Sequence, residues 1–368
     1  VTPRCAPLTL LALWLLAAFG CDDDLPRASE IKHMRVLGAR TEVQSDSARS
    51  TPRPGEVASL TWSVAYPDPT QDDGELASLF LTCTAPTRFS GQPVCQELLD
   101  AAQGTTSLLT ILGGAGGLQR APKCADAPDQ HLETGPFSLT CVSGTPHSDV
   151  KIETSFRAKS KLVQGIICRK GSPVLDIDAP TGVRCDPLSG VKASQMESIP
   201  VYGTVPVQYR DEDANHNPTL DAARFAFGES ELAWPALTSD EVLEFADDCA
   251  EAAKDQQLLS SNGKDEQIVI EYDPEARELH DGTPEPLEFS TYTTLGTLDR
   301  RFTVFPADAK PPLKSTLHWS VSKELRDKLG DRSQLVRFYF TVLDHRGGYA
   351  ITSRELCVGH DLTRASNN

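Results

Sequence analysis

The chain has 368 residues, with 52 acidic against 35 basic side chains and a formal net charge of −17. Such acidity opposes nucleic acid and anionic membrane surfaces as general partners, while the length allows two or three domains with cores of their own. Twenty-six prolines and 25 glycines beside only two methionines describe a chain of many turns and few long helices.

Arg4 precedes an apolar run from Leu8 that ends in small residues and Cys21, with Asp22, Asp23 and Asp24 directly after it. A positive start, an apolar middle and a small-residue end are the order of a secretory signal, and the run is shorter than the roughly 20 residues that span a bilayer. Its end, Leu16-Ala17-Ala18-Phe19-Gly20-Cys21, resembles the lipobox of bacterial lipoproteins. That resemblance implies a signal peptide over 1–20, acylation of Cys21, and a short acidic tether over 21–30. It also implies export to the bacterial cell envelope, at the outer membrane, with the membrane as partner through the lipid anchor.

Cysteine counting agrees. Ten cysteines less Cys5 and Cys21 leave eight, an even number for an oxidising compartment. No Cys-x-x-Cys occurs, so zinc-ribbon and thioredoxin spacings are absent. Cys83, Cys95, Cys124, Cys141, Cys168 and Cys185 fall in the first of two expected domains and allow 15 pairings, which sequence leaves open. Cys249 and Cys357 are the two left in the second and are expected to pair with each other.

Met34–Gly38 reads as a first strand. Pro52-Arg53-Pro54-Gly55 is a turn, since Pro fixes φ and Gly accepts positive φ. Beyond it Leu60, Trp62, Val64 and Tyr66 alternate with polar or small residues, the period of a half-buried strand. This stretch, a tryptophan on the second strand after a Pro-rich turn, resembles an immunoglobulin-like or fibronectin-type-III-like sandwich. Further strands are predicted at 78–83, 137–142 and 163–168. Gly113–Gly117 lacks the Lys-Ser or Lys-Thr of a phosphate loop and reads as an inserted loop.

The hydrophobic rhythm lapses over 186–199, which places the domain boundary there: a first sandwich over 31–190 and a second over 191–368. In the second, Thr238-x-x-Glu241 is a capping box, and Val242, Ala246, Cys249 and Ala253 recur at helical spacing, giving one helix over 239–259 with Cys249 facing inward. Strands follow at 267–272, 287–292, 301–305 and 316–321. The last, TLHWSV, echoes SLTWSV at 59–64 and agrees with two sandwiches of related design. A closing hairpin sets Val336, Phe338, Phe340 and Val342 inward and turns at Asp344–Gly348. The expected fold is mainly β: two antiparallel, Ig-like, disulfide-bonded β-sandwich domains with one helical insertion.

One polar cluster has ligand-like spacing. Asp211, Asp213 and Asn215 match the first three ligands of a D-x-D-x-N calcium loop, because a hard cation takes six to eight oxygens. His216 then replaces the loop glycine and Ala222 stands where a bidentate acid belongs, so an inter-strand loop with self-bonded Asp and Asn side chains is the competing reading. Calcium is the one cofactor the sequence raises. No Gly-x-Ser-x-Gly, His-Glu-x-x-His or Walker loop is present, and the eight histidines are scattered. The sequence-level expectation is therefore a non-catalytic binding or structural module of the envelope, with an envelope protein or glycan as partner. The alternatives are a periplasmic accessory factor in envelope assembly or secretion, and a hydrolase built on a carboxylate pair.

Overall fold

The computed structural model describes residues 28–71, 73–86, 95–96, 124, 131–134, 137–176, 183–211, 214–246, 249–255, 257–359 and 362. The segment read as a signal with Cys21, the glycine run at 113–117 and Asp213 lie outside these residues.

Ten strands build the first sandwich: β1 (Arg35–Val43), β2 (Val57–Ala65), β3 (Leu76–Thr84), β4 (His131–Thr134), β5 (Phe137–Ser143), β6 (His147–Lys151), β7 (Ser160–Arg169), β8 (Gly171–Leu175), β9 (Val183–Pro187) and β10 (Glu197–Pro206). One sheet runs β1-β2-β6 and the other β10-β7-β3-β5-β4, with β8 and β9 as a separate hairpin. The period-two pattern of β2 does what alternation predicts: Leu60 and Trp62 turn into the core with Phe80, Val150, Val163 and Val205. Trp62 and Phe80 join the two sheets by stacking at 4.3 Å between ring centroids, a contact that adds to plain area burial.

The second sandwich follows with β11 (Ala223–Phe227), β12 (Leu232–Ala233), α1 (Ser239–Phe245), α2 (Cys249–Lys254), β13 (Ser260–Ser261), β14 (Glu266–Tyr272), β15 (Leu279–His280), β16 (Thr283–Pro284), β17 (Leu287–Thr293), β18 (Thr297–Leu298), β19 (Phe302–Phe305), β20 (Leu313–Ser320), α3 (Lys323–Leu329), β21 (Ser333–Leu343) and β22 (Tyr349–Gly359). Its sheets run β12-β11-β14-β20-β18 and β13-β22-β21-β17-β19. Val336, Phe338, Phe340 and Val342 of β21 are fully buried, facing Phe225, Ile270 and Trp319 across the sandwich. The capping box forms as read, Glu241 N donating to Thr238 Oγ1 and Thr238 N to Glu241 Oε2.

Both sandwiches place their first, second and fifth main strands in one sheet (β1-β2-β6 and β11-β14-β20) and their seventh, sixth, third and fourth in the other (β10-β7-β3-β5 and β22-β21-β17-β19). The shared design is real, yet the tryptophan echo does not mark it. Trp62 lies on the second main strand of its sandwich and Trp319 on the fifth of the other.

The boundary read at 186–199 moves. β10 pairs with β7 over its whole length, from Glu197 opposite Arg169 to Pro206 opposite Ser160, so the first sandwich ends near 206 and the linker is 207–217. The lapse in rhythm belongs to the loop between β9 and β10. The single helix read over 239–259 is described as two short helices, α1 and α2.

The disulfides join Cys83 to Cys95, Cys124 to Cys141, Cys168 to Cys185 and Cys249 to Cys357. The last fixes α2 to β22 across a sequence separation of 108. Among the described residues no helix is long and apolar enough to cross a membrane.

Candidate functional site at the domain junction

The polar segment 211–218 overlaps the linker between the sandwiches, and among its described side chains Asn215 and Asn217 each bond to both domains. Asp211 faces solvent, paired with Arg53 at 2.9 Å. Asn215, by contrast, is fully buried. On the first-domain side its N–H donates to Thr51 Oγ1 at 3.0 Å and its carbonyl accepts from Ser50 N at 2.9 Å. Its Nδ2 donates both to Ser50 Oγ at 2.9 Å and to Asp344 Oδ2 of the second domain at 2.6 Å. Asp344 sits at the β21–β22 turn, where its Oδ1 accepts from Arg346 N and Gly348 N at 2.7 and 2.8 Å. Asn217 repeats the bridge: Nδ2 donates to Thr41 O of β1 at 2.7 Å, and Oδ1 accepts from Tyr349 N of β22 at 3.0 Å. His216 forms an antiparallel bridge with Arg49 of the first domain, while its N–H donates to Glu278 Oε2 of the second at 3.0 Å.

Of the residues read as calcium ligands, the two described ones lie in different surroundings. Asp211 is at the surface and Asn215 in the interior, with Asp213 outside the described residues. Among the described residues no group of three or more His, Cys, Asp or Glu side chains is placed to hold a metal. Instead Asn215 and Asn217 form a clasp. Removing one partner from such a buried bond leaves the other desolvated, at a cost of about 1–3 kcal/mol.

An apolar contact lies beside the clasp. Ile31, Leu37 and Ala65 pack on Tyr292 and Tyr339, with Ile351 at the margin. Gly38 is what lets β1 approach: a Cβ there would lie 2.2 Å from the Tyr349 ring. Arg40 Nη1 donates to Tyr349 O at 3.0 Å. The segment before β1 is drawn in as well, since Ile31 N donates to Thr293 O and Thr293 N to Ser29 O, both at 2.9 Å. Arg35 and Arg301 lie over the Tyr292 ring at 5.0 and 4.9 Å from its centroid. Burial, with the charge of Arg301 adding to it, lowers the pKa of Arg35.

Behind the junction sits a perturbed acid. Burial pushes Glu285 up to about 7, and the charges of Asp344 and Glu278 act in the same direction, against the Glu278 N–H and Arg346. Its Oε1 accepts from Glu278 N at 3.2 Å. Glu285 lines none of three surface clefts: about 510 Å³ beside Tyr272, about 500 Å³ beside Trp62, and about 590 Å³ beside Cys141 and His147.

Sequence reasoning singled out the linker by its polarity but missed its partners Ser50, Thr41, Asp344 and Glu278. One signal was present: Asp344 opens a turn, D-H-R-G-G, whose acid caps its own backbone.

No protein-family model matches the chain, and no curated protein matches it. Among solved structures, mouse protocadherin-24 EC1-3 aligns over 88% of this chain and 90% of that one at 11% identity, with a TM-score of 0.15. A likeness of that size bears on neither fold nor function.

Proposed function

We propose that the chain is a bacterial envelope lipoprotein, anchored through an acylated Cys21, whose two sandwiches act together as a non-catalytic binding or structural module. The observation that carries this reading is the clasp. By bonding Asn215 to both Ser50 and Asp344, it makes one body of two domains, which suits a fixed surface presented to a partner. Four disulfides are the equipment of an exported protein, in keeping with the signal read at the start of the chain. The partner class this reading favours is an envelope protein or glycan.

Two experiments test it. Labelled palmitate should be incorporated by the wild-type chain and not by Cys21→Ser; equal labelling of both would remove the anchor. Protease shaving of intact cells, followed with an antibody to the β21–β22 hairpin, separates the roles. Loss of signal supports a surface module, whereas protection until the outer envelope is opened moves the periplasmic accessory role ahead.

A further inference from the structure

The start of the folded body and an exposed apolar strand share one sheet edge. β19 pairs with β17 from Phe305 opposite Leu287 to Phe302 opposite Ser290. The same edge of β17 then continues with Thr291 N donating to Arg301 O at 2.8 Å, and Thr293 N to Ser29 O at 2.9 Å. Ser29 and Arg301 are thus neighbours along this edge, about 7 Å apart at strand spacing. Phe302 and Val304 point away from the core, 58% and 46% exposed, while Phe305 turns inward. They are the two large apolar side chains that β19 leaves to solvent.

Basic groups gather near this edge, alongside Glu30, Asp299 and Glu288, the last opposite Val304. Arg35, Arg300 and Arg301 surround the edge, and none has a carboxylate within ion-pair distance among the described residues. Lys32 nearby is paired to Glu30 at 3.2 Å. A chain with a formal charge of −17 therefore carries three guanidiniums without a carboxylate partner near exposed Phe and Val at the point where its tether enters the fold; Arg35 and Arg301 lie over Tyr292 and Arg300 is the exposed one.

We propose that this edge rests on the bilayer, with Phe302 and Val304 at the boundary between headgroups and acyl chains and the exposed Arg300 on a lipid phosphate. The inference rests on acylation of Cys21 and gives that reading an orientation. Seven residues separate Cys21 from Ala28, a contour of at most about 25 Å, so the body cannot stand far from an acylated cysteine. The tether enters beside β19, and the strand lies within that reach. Arginine on phosphate and an aromatic with an aliphatic at the interface are the chemistry of surface-bound proteins. The overall negative charge does not cancel this, because charges more than about 8–10 Å apart are largely screened at physiological salt.

The test uses tryptophan quenching by brominated lipid. The mature chain, carrying a hexahistidine tag in place of the acyl group, is held on vesicles of phosphatidylethanolamine and phosphatidylglycerol by a nickel-chelating lipid. F302W should be quenched several-fold more than L279W, which replaces a leucine elsewhere that is slightly more exposed than Phe302; Trp62, Trp234 and Trp319 are buried and supply a constant background. Adding R300E should reduce the quenching of F302W. Equal quenching of F302W and L279W on bound protein would overturn the proposal. Quenching that appears only after Asp22, Asp23 and Asp24 are changed to Asn would overturn it too, by showing that the tether itself occupies Arg300. The fixed attachment keeps this outcome separate from the palmitate experiment, which judges acylation alone.

Discussion

Glu285→Gln isolates one titrating group at the junction. A carboxyl raised from 4.5 to about 7 in the folded chain binds its proton more tightly than in the unfolded chain, so between those values the folded state holds more protons. Stability must then fall as pH rises through that window. Below about 4.5 both states are protonated and nothing is lost; above about 7 the loss is complete. At 1.36 kcal/mol per unit of pKa the full difference is at most about 3.4 kcal/mol. Gln keeps an oxygen for the Glu278 N–H and never ionises. Urea unfolding of wild type and E285Q at intervals from pH 4.5 to 8.5 reads the effect as a difference between two curves, which removes what other groups contribute. The wild type should weaken relative to E285Q by about 2–3 kcal/mol over that range. Parallel curves, or a wild type that gains on the variant, would refute the assignment of a buried, raised carboxyl.

Three further outcomes are expected. Replacing Cys249 and Cys357 together by Ser should lower unfolding stability by about 4–5 kcal/mol, the chain-entropy value for a loop of this length, seen as a fall in urea midpoint with the first sandwich still folded. A double-mutant cycle of Asn215→Ala and Asp344→Ala should show a coupling of about 1.5–3 kcal/mol, as for hydrogen bonds to a charged group; additive effects would deny the clasp. Gly38→Ala should cost about 1–3 kcal/mol through overpacking on Tyr349 and should expose the 207–217 linker to limited proteolysis.

Much of the fold was legible because strands announce themselves locally. The alternation of β2 and β21, the capping box of α1 and the hairpin after Leu343 each depend on neighbours within a few residues. What was not legible depends on distant partners. β10 carries inward valines that fit either sandwich equally well, and only its register against β7, some 35 residues earlier, decides which sheet it joins. The two WSV segments are alike because both are half-buried strands with one large ring inward, a local demand met at different places in the topology. The linker is the sharpest case. Its Asp and Asn spacing suits oxygen ligation, but Asn215 meets Ser50 and Asp344, residues 165 and 129 positions away, and no local pattern encodes either meeting.

The disulfide connectivity has a consequence for how the chain is made. Each of the eight structural cysteines is bonded to the next one in sequence: 83 to 95, 124 to 141, 168 to 185, 249 to 357. Of the 15 arrangements open to the first six, this is the one in which no loop encloses or crosses another. A chain threaded outward from its N-terminus offers its thiols to an oxidant one after another in that same order. Joining each newly emerged cysteine to the one still waiting yields the native set without a wrong bond to undo. Maturation of this protein should therefore depend on an oxidase and be indifferent to a disulfide isomerase, with the final bond delayed until the last strand has cleared the membrane.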